Sequence, residues 1–193
     1  MSDYHHGDLA NALLNAARLV LKEKGLHGLS LRACAMKAGV SHAAPAHHFK
    51  SLKGLLTELA IIAYDEFTDE LKNRFKSVSD QAEQFRMQAV GQAYIEFSTK
   101  QPELFKLMFS NAYLDLDNPR LQESSAKAYQ QLQGIVHPLF DLKKMDESQR
   151  EHAEILIWSI VHGYAYLLIQ HKDCGDKESV RLPDIGILGE LLS

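Results

Sequence analysis

Cysteine is nearly absent. The 193 residues contain only Cys34 and Cys174, far apart in the chain, which excludes a disulfide-stapled scaffold and points to a reduced compartment. No histidine has a glutamate three residues before it, and the only acidic case is Asp3 with His6. The paired Glu-x-x-His of a carboxylate-bridged metal bundle is therefore missing. His171-x-x-Cys174 and His5-His6 each offer two ligands with no partners at zinc-site spacing. There is no phosphate-cradling glycine loop and no nucleophile elbow. With no catalytic constellation, the expectation is a protein that is not an enzyme and needs no cofactor or metal. No run approaches the roughly 18 apolar residues of a membrane span, and the N-terminus lacks a basic-then-apolar segment. Both absences lead to the expectation of a cytoplasmic protein with no membrane partner. No internal repeat occurs and nothing alternates with a period of two, so the expected fold class is all-α.

What is present is an uneven charge. The net −4 divides into +4 over residues 1–56, from seven lysines and arginines against three carboxylates, and −8 over the rest. A basic head on an acidic body suits a DNA-binding module joined to one that does not bind DNA, because phosphate neutralisation drives such affinity. Six of the ten histidines fall in the head, so protonation below about pH 6.5 would strengthen that binding.

The head is organised around residues 29–56, LSLRACAMKAGVSHAAPAHHFKSLKGLL. Ser30 is a good N-cap, and Leu31, Cys34, Ala35 and Ala38 recur behind it at helical spacing. Gly39 suits the left-handed residue that ends a helix. The next helix is placed at about 41–48 with Ser41 as its cap. Pro45 cannot donate the first intrahelical bond and crowds the Ser41 carbonyl, so this helix should begin loosely, as a 3₁₀ turn. Two helices about a glycine turn form a helix-turn-helix, whose second helix lies in the major groove. Upstream, Leu9, Leu13, Ala16, Ala17, Val20 and Leu21 stripe a helix from Asp8 to Gly25 that completes a three-helix head. Cys34, on the inward stripe, reads as a small core residue. The first seven residues read as a polar arm.

Leu31-Arg32, Ala38-Gly39-Val40-Ser41, His48-Phe49 and Leu55-Leu56 resemble the DNA-binding domain of TetR-family transcriptional regulators. Tyr4-His5-His6-Gly7-Asp8-Leu9 and Ser41-His42-Ala43-Ala44-Pro45 resemble one TetR/AcrR branch. In that branch the C-terminal domain carries a signature similar to Trp158-x-x-x-His162-Gly163. The chain departs from the family pattern at Ala46, where many members have tyrosine, and at Leu52, where many have lysine. Lys50 and Lys53 flank the second position. The resemblance implies a DNA-binding head over residues 1–50 and an effector-binding, dimerising body over residues 51–193. His42, Ala43 and Ala44 would approach base edges, and an alanine methyl can meet a thymine methyl. Arg32, His47, His48, Lys50, Lys53 and the caps Ser30 and Ser41 would meet phosphates.

The body reads as further helices, about nine in the chain with those of the head. A long one runs from Ser51 to about Phe75, and another from about Asp80 to Lys100. A short apolar one opens at Pro102, and another ends near Phe140 after a loop at Asp115. The last long helix, residues 147–171, is apolar on more than one face, as expected if a partner covers one of them. Gly163 would permit close helix approach there. A short tail helix carries Pro183, Ile185, Ile187, Leu188, Leu191 and Leu192. Phe97, Phe105, Met108, Phe109, Trp158 and His162 are the candidate lining of a cavity for a small apolar or aromatic effector, with Tyr94 or Tyr129 as further polar groups. The expected function is a ligand-responsive repressor that binds a pseudo-palindromic operator in double-stranded DNA as a homodimer. Two alternatives stand beside it: an interaction protein of the same fold with weakened DNA binding, motivated by Ala46 and Leu52, and a small-molecule carrier built on the bundle cavity.

Overall fold

Apolar residues at helical spacing run almost the length of the chain, and the backbone follows them. The computed structural model describes residues 6–173. It is all-helical over that span, with eight α-helices: α1 (His6–Lys24), α2 (Leu31–Ala38), α3 (Ala44–Phe49), α4 (Leu52–Ser77), α5 (Glu83–Lys100), α6 (Pro102–Met108), α7 (Pro119–Leu142) and α8 (Glu147–Asp173). A 3₁₀ turn, Leu26–Gly28, joins α1 to α2. The tail helix with Pro183 to Leu192, the arm residues 1–5 and Cys174 lie outside the described residues.

Two compact units are distinguishable, one within Met1–Asp65 and Glu103–Ser125, the other within Glu66–Pro102 and Ala126–Ser193. In the first, α1, α2 and α3 pack on one another. Leu13, Ala17, Cys34, Ala35, Leu55 and Phe105 are fully buried there. Burial also pushes the Cys34 thiol up from its ordinary value, which keeps it protonated and unreactive. The same unit holds α6 and the loop after it by polar ties to α4. Tyr64 donates its hydroxyl to the Met108 carbonyl at 2.8 Å. The buried Thr57 hydroxyl accepts from the Asp115 amide at 2.9 Å, and Arg120 reaches both oxygens of Glu58 at 2.8 Å.

In the second unit α5 packs along α8. Phe67 from the later part of α4 meets Tyr94 and Phe97 of α5, each at 5.0 Å between ring centres. Val90, Ala93, Ile135, Phe140, Val161, Ala165 and Ile169 are buried in the same unit. Arg74 pairs with Glu96 at 2.9 Å.

Two expectations need correction. The third helix begins at Ala44 rather than Ser41, and the Ser41 side chain caps nothing, since the N-cap residue is Ala43 with no side-chain bond. The proline explains this. With the start moved to Ala44, Pro45 falls in the first turn, where a missing N–H costs nothing. The residues before it form a turn closed by the Ala44 amide on the Ser41 carbonyl at 3.1 Å. The sequence also suggests no apolar run of membrane length, yet by length and composition Glu147–His171 of α8 suffices, with a mean hydropathy of 1.3. Its average is high because two faces are apolar. Val161, Ala165 and Ile169 point inward. Ile155, Leu156, Ile160 and Leu167 are exposed.

Candidate nucleic-acid interface and effector cavity

Local rules shape the helix pair. The Ser30 hydroxyl accepts from the Ala33 amide at 3.1 Å and starts α2. Gly39, at φ 69°, ends it in the left-handed region. α3 then turns on its buried Pro45, leaving Ala43, Ala46, His47 and Lys50 exposed. Those positions are three and four apart, so they form one helix face. It offers two methyl groups, an imidazole and an ammonium, with His42 exposed just before it. Ala44 and His48 are half-buried; the His48 ring stands 5.4 Å from that of His47 and 6.2 Å from Phe49. Ser30, Arg32, Ser41 and Lys53 are exposed, with Arg32 and Lys53 on the first turns of α2 and α4, so all ten residues expected at DNA lie within the first unit. Lys37 is occupied by Glu23 at 2.6 Å.

The corner between α3 and α4 is tight. Lys50 adopts φ 63°, a left-handed conformation uncommon outside glycine. The Ser51 amide donates to the Phe49 carbonyl at 2.6 Å, and its hydroxyl accepts from the Gly54 amide at 3.0 Å. A Cβ on Gly54 would stand 2.2 Å from the Phe49 carbonyl oxygen, so only glycine fits. The first amides of a 26-residue helix thereby emerge between Lys50 and Lys53, where a helix N-terminus favours an anion such as a phosphate. Ser51 and Gly54 shape this corner although the sequence does not single them out.

The effector candidates divide between the two units. Phe105 and Met108 are buried in the first unit, with Phe109 half-buried beside Phe105 and Tyr64 at 5.0 and 6.0 Å. Phe97, Trp158 and His162 belong to the second, where Phe97 is buried against Phe67. There α5, α7 and α8 enclose a cavity of about 50 Å³, with Val90, Leu132 and Ile157 among its apolar walls. Of the six candidates only Trp158 lines it. His162 stands behind, its ring 5.6 Å from Trp158, sharing a 2.7 Å hydrogen bond through Nδ1 with the Tyr94 hydroxyl. Burial lowers the His162 pKa, so the ring is neutral at pH 7.

The residue missed by sequence reasoning is Glu154, which also lines the cavity. Its Oε2 accepts from the Tyr129 hydroxyl at 2.9 Å and from Gln133 Nε2 at 3.0 Å, and its Oε1 from His137 Nε2. Burial pushes this carboxyl up, but the bonds from Gln133, His137 and Tyr129 outweigh it and hold the group below its ordinary value. Burial and the bond to Glu154 raise the Tyr129 pKa, which keeps its hydroxyl a donor. Gln133 and His137 one turn apart on α7 were the available signal. Among the described residues no three His, Cys, Asp or Glu side chains are grouped to hold a metal ion.

The class of protein follows from α2 and α3. A glycine-turned helix pair presenting one face of its second helix is a helix-turn-helix. Residues 13–59 match the family model "Bacterial regulatory proteins, tetR family" and residues 87–178 match "Tetracyclin repressor-like, C-terminal domain". The HTH-type transcriptional regulator BetI of Serratia proteamaculans (strain 568) is 30% identical over 78 residues, which span 40% of this chain and 39% of that protein. A protein of unknown function from Rhodococcus sp. RHA1 is 26% identical, with a TM-score of 0.74 over all of this chain and 95% of its own. The TetR-family regulator PfmR of Thermus thermophilus shares the fold, with 19% identity, a TM-score of 0.62, and coverage of 81% of this chain and 83% of its own. The chain belongs to the TetR family of transcriptional regulators.

Proposed function

We propose that the chain is a ligand-responsive repressor, cytoplasmic and not an enzyme, that binds a pseudo-palindromic operator as a homodimer. Residues 1–50 meet the DNA, and residues 51–193 dimerise and hold the effector. The observation that carries the reading is the exposed α3 face set beside the lysine-flanked N-terminus of α4. His42, Ala43 and Ala44 approach base edges, and the α3 face adds Ala46. Phosphates are met by Ser30, Arg32, Ser41, His47, His48, Lys50 and Lys53, which fix register without reading sequence.

The dimer is supported by α8. Leu156, Ile160, Gly163 and Leu167 fall on one exposed stripe, and nothing comes within 4 Å of a Cβ built on Gly163. A second copy would cover this surface and set two α3 helices on successive major grooves, about 34–36 Å apart. The effector, small and apolar or aromatic, enters the cavity walled by Trp158. His162 stands behind it, while Phe97, Phe105, Met108 and Phe109 serve as core. A ring entering the cavity pushes Trp158 against His162, and the His162–Tyr94 bond passes the displacement to Phe67 of α4. Two states of that helix, differing in effector affinity, suffice to shift repression.

The test is a salt-dependent shift of the DNA flanking the chain's own coding region. Specific binding whose log affinity falls linearly with log salt supports the reading. Absence of specific binding at low salt would move the assignment to a TetR-fold interaction protein. Ala46 on the exposed α3 face and the half-buried Leu52 favour that second reading, since neither offers the phosphate a donor.

A further inference from the structure

Among the described residues, the cavity between α5, α7 and α8 has one charged group in its walls, and the charge is negative. The Glu154 side chain is only 12% exposed, and among the described residues no lysine or arginine lines the cavity with it. A carboxylate drawn out of water is costly unless its oxygens are satisfied. Tyr129, Gln133 and His137 satisfy three of its roughly four acceptor sites, which keeps it ionised and leaves room for one more donor or a cation. Beside it stand the rings of Tyr129 and Trp158, edge to face at 6.2 Å. Aromatic faces attract cations through their quadrupole, more strongly when water is excluded. Anions are repelled here, and neutral apolar molecules gain nothing from the charge.

We propose that this cavity takes an apolar cation, an amine or quaternary ammonium on an apolar or aromatic body, with Glu154 as its counter-charge and Tyr129 and Trp158 as its aromatic walls. The proposal rests on the effector reading above and narrows it to one chemical class. At about 50 Å³ the cavity is smaller than the ~150 Å³ apolar hole that admits benzene. A ring-bearing cation therefore enters only as the three helices part, which is the movement an effector must cause. Among the described residues the group of opposite charge that pairs with Glu154 is His137 when protonated, and its side chain is 43% exposed, so it can swing to solvent as the cation arrives.

Trp158 is the only tryptophan, so its fluorescence reports this cavity alone. The full-length protein is titrated with phenyltrimethylammonium and with tert-butylbenzene, two probes of one shape that differ by a charge. The cation should bind at least about tenfold more tightly, because its charge, which has no N–H to donate, is attracted by the Glu154 carboxylate and by the aromatic faces. Glu154→Gln, which keeps one acceptor oxygen, should bring the two affinities together. Because that change can loosen α7 from α8, its melting temperature is measured beside it, while the wild-type comparison needs no variant. Equal binding of both probes to the wild type overturns the charge inference and leaves the effector cavity standing. A cation preference that survives in a folded Glu154→Gln variant also overturns it. No Trp158 response and no thermal shift with either probe at millimolar concentration removes the cavity as a ligand site altogether.

Discussion

Replacing Gly54 with alanine sets two effects of opposite sign against each other. In a helix interior alanine is favoured over glycine by about 1 kcal/mol. At this corner, however, the new methyl would lie 2.2 Å from the Phe49 carbonyl oxygen. That oxygen already accepts the Ser51 amide at 2.6 Å, so neither backbone can turn aside by changing a rotamer. The α3–α4 corner must open instead, at the upper end of overpacking costs, about 3 kcal/mol. The net loss is about 2 kcal/mol, a fall of about 4–8 °C in Tm for a chain of this length. Gly134→Ala is the control. It is also helical, but nothing lies within 4 Å of its Cβ, so it should gain about 0.5–1 kcal/mol. Thermal unfolding followed by circular dichroism compares the two. DNA affinity should fall with Gly54→Ala alone, because opening the corner displaces Lys50 and Lys53. A Gly54→Ala protein melting at or above the wild type would refute the close approach and the corner built on it.

Arg32→Ala with Lys53→Ala should weaken binding to all DNA sequences and flatten the slope of log affinity against log salt by about one to two units; an unchanged slope removes both from the phosphate set. Gly163→Leu should raise the dimer dissociation constant in sedimentation, whereas a wild type monomeric at micromolar concentration ends the dimer reading. Phe109→Ala, taken from a half-buried ring between Phe105 and Tyr64, should cost about 3 kcal/mol and impair DNA binding and induction together; altered induction at unchanged Tm would return it to the cavity. The half-buried His162, facing the Tyr94, Trp158 and Tyr166 rings, has a pKa lowered from 6.5. The folded state therefore binds fewer protons than the unfolded, and stability from this group is lost as pH falls below 6.5. Melting temperatures at pH 7.5 and 5.5 should show that loss, and a His162→Gln variant should show less of it.

The parts of the fold legible in the sequence are those set by a few adjacent residues. α2 was readable at both ends because Ser30 and Gly39 act within one turn, and α6 because Pro102 opens it. The start of α3 was readable only in part. The proline rule foretells strain at Ser41, but whether the chain bears that strain or shifts the helix start depends on burying Pro45, which is a matter of packing. Gly54 shows the same limit more sharply. Nothing local demands glycine in the first turn of α4; the demand comes from the end of α3 passing over it. The approach depends on how sharply the chain turns between the two helices, which leaves the glycine with no mark to set it apart from others.

The cavity was harder to read for a related reason. An apolar side chain fills a core and lines a pocket by the same chemistry, so Phe97, Phe105, Met108 and Phe109 looked no different from Trp158. The difference lies in whether a neighbour fills the last few ångströms, which periodicity does not encode. Charged residues mislead in the opposite direction. Glu154 lies in the stretch Glu147-Ser148-Gln149-Arg150-Glu151-His152-Ala153-Glu154, which reads as the solvated start of an amphipathic helix. It becomes a buried charge only because α7 presents Tyr129, Gln133 and His137 at successive turns of one face. Each of those three could be a surface residue on its own. Four polar side chains spending their hydrogen bonds on one another beside an apolar cavity carry more functional information than six aromatic or apolar ones, because burying them is unfavourable without such an arrangement.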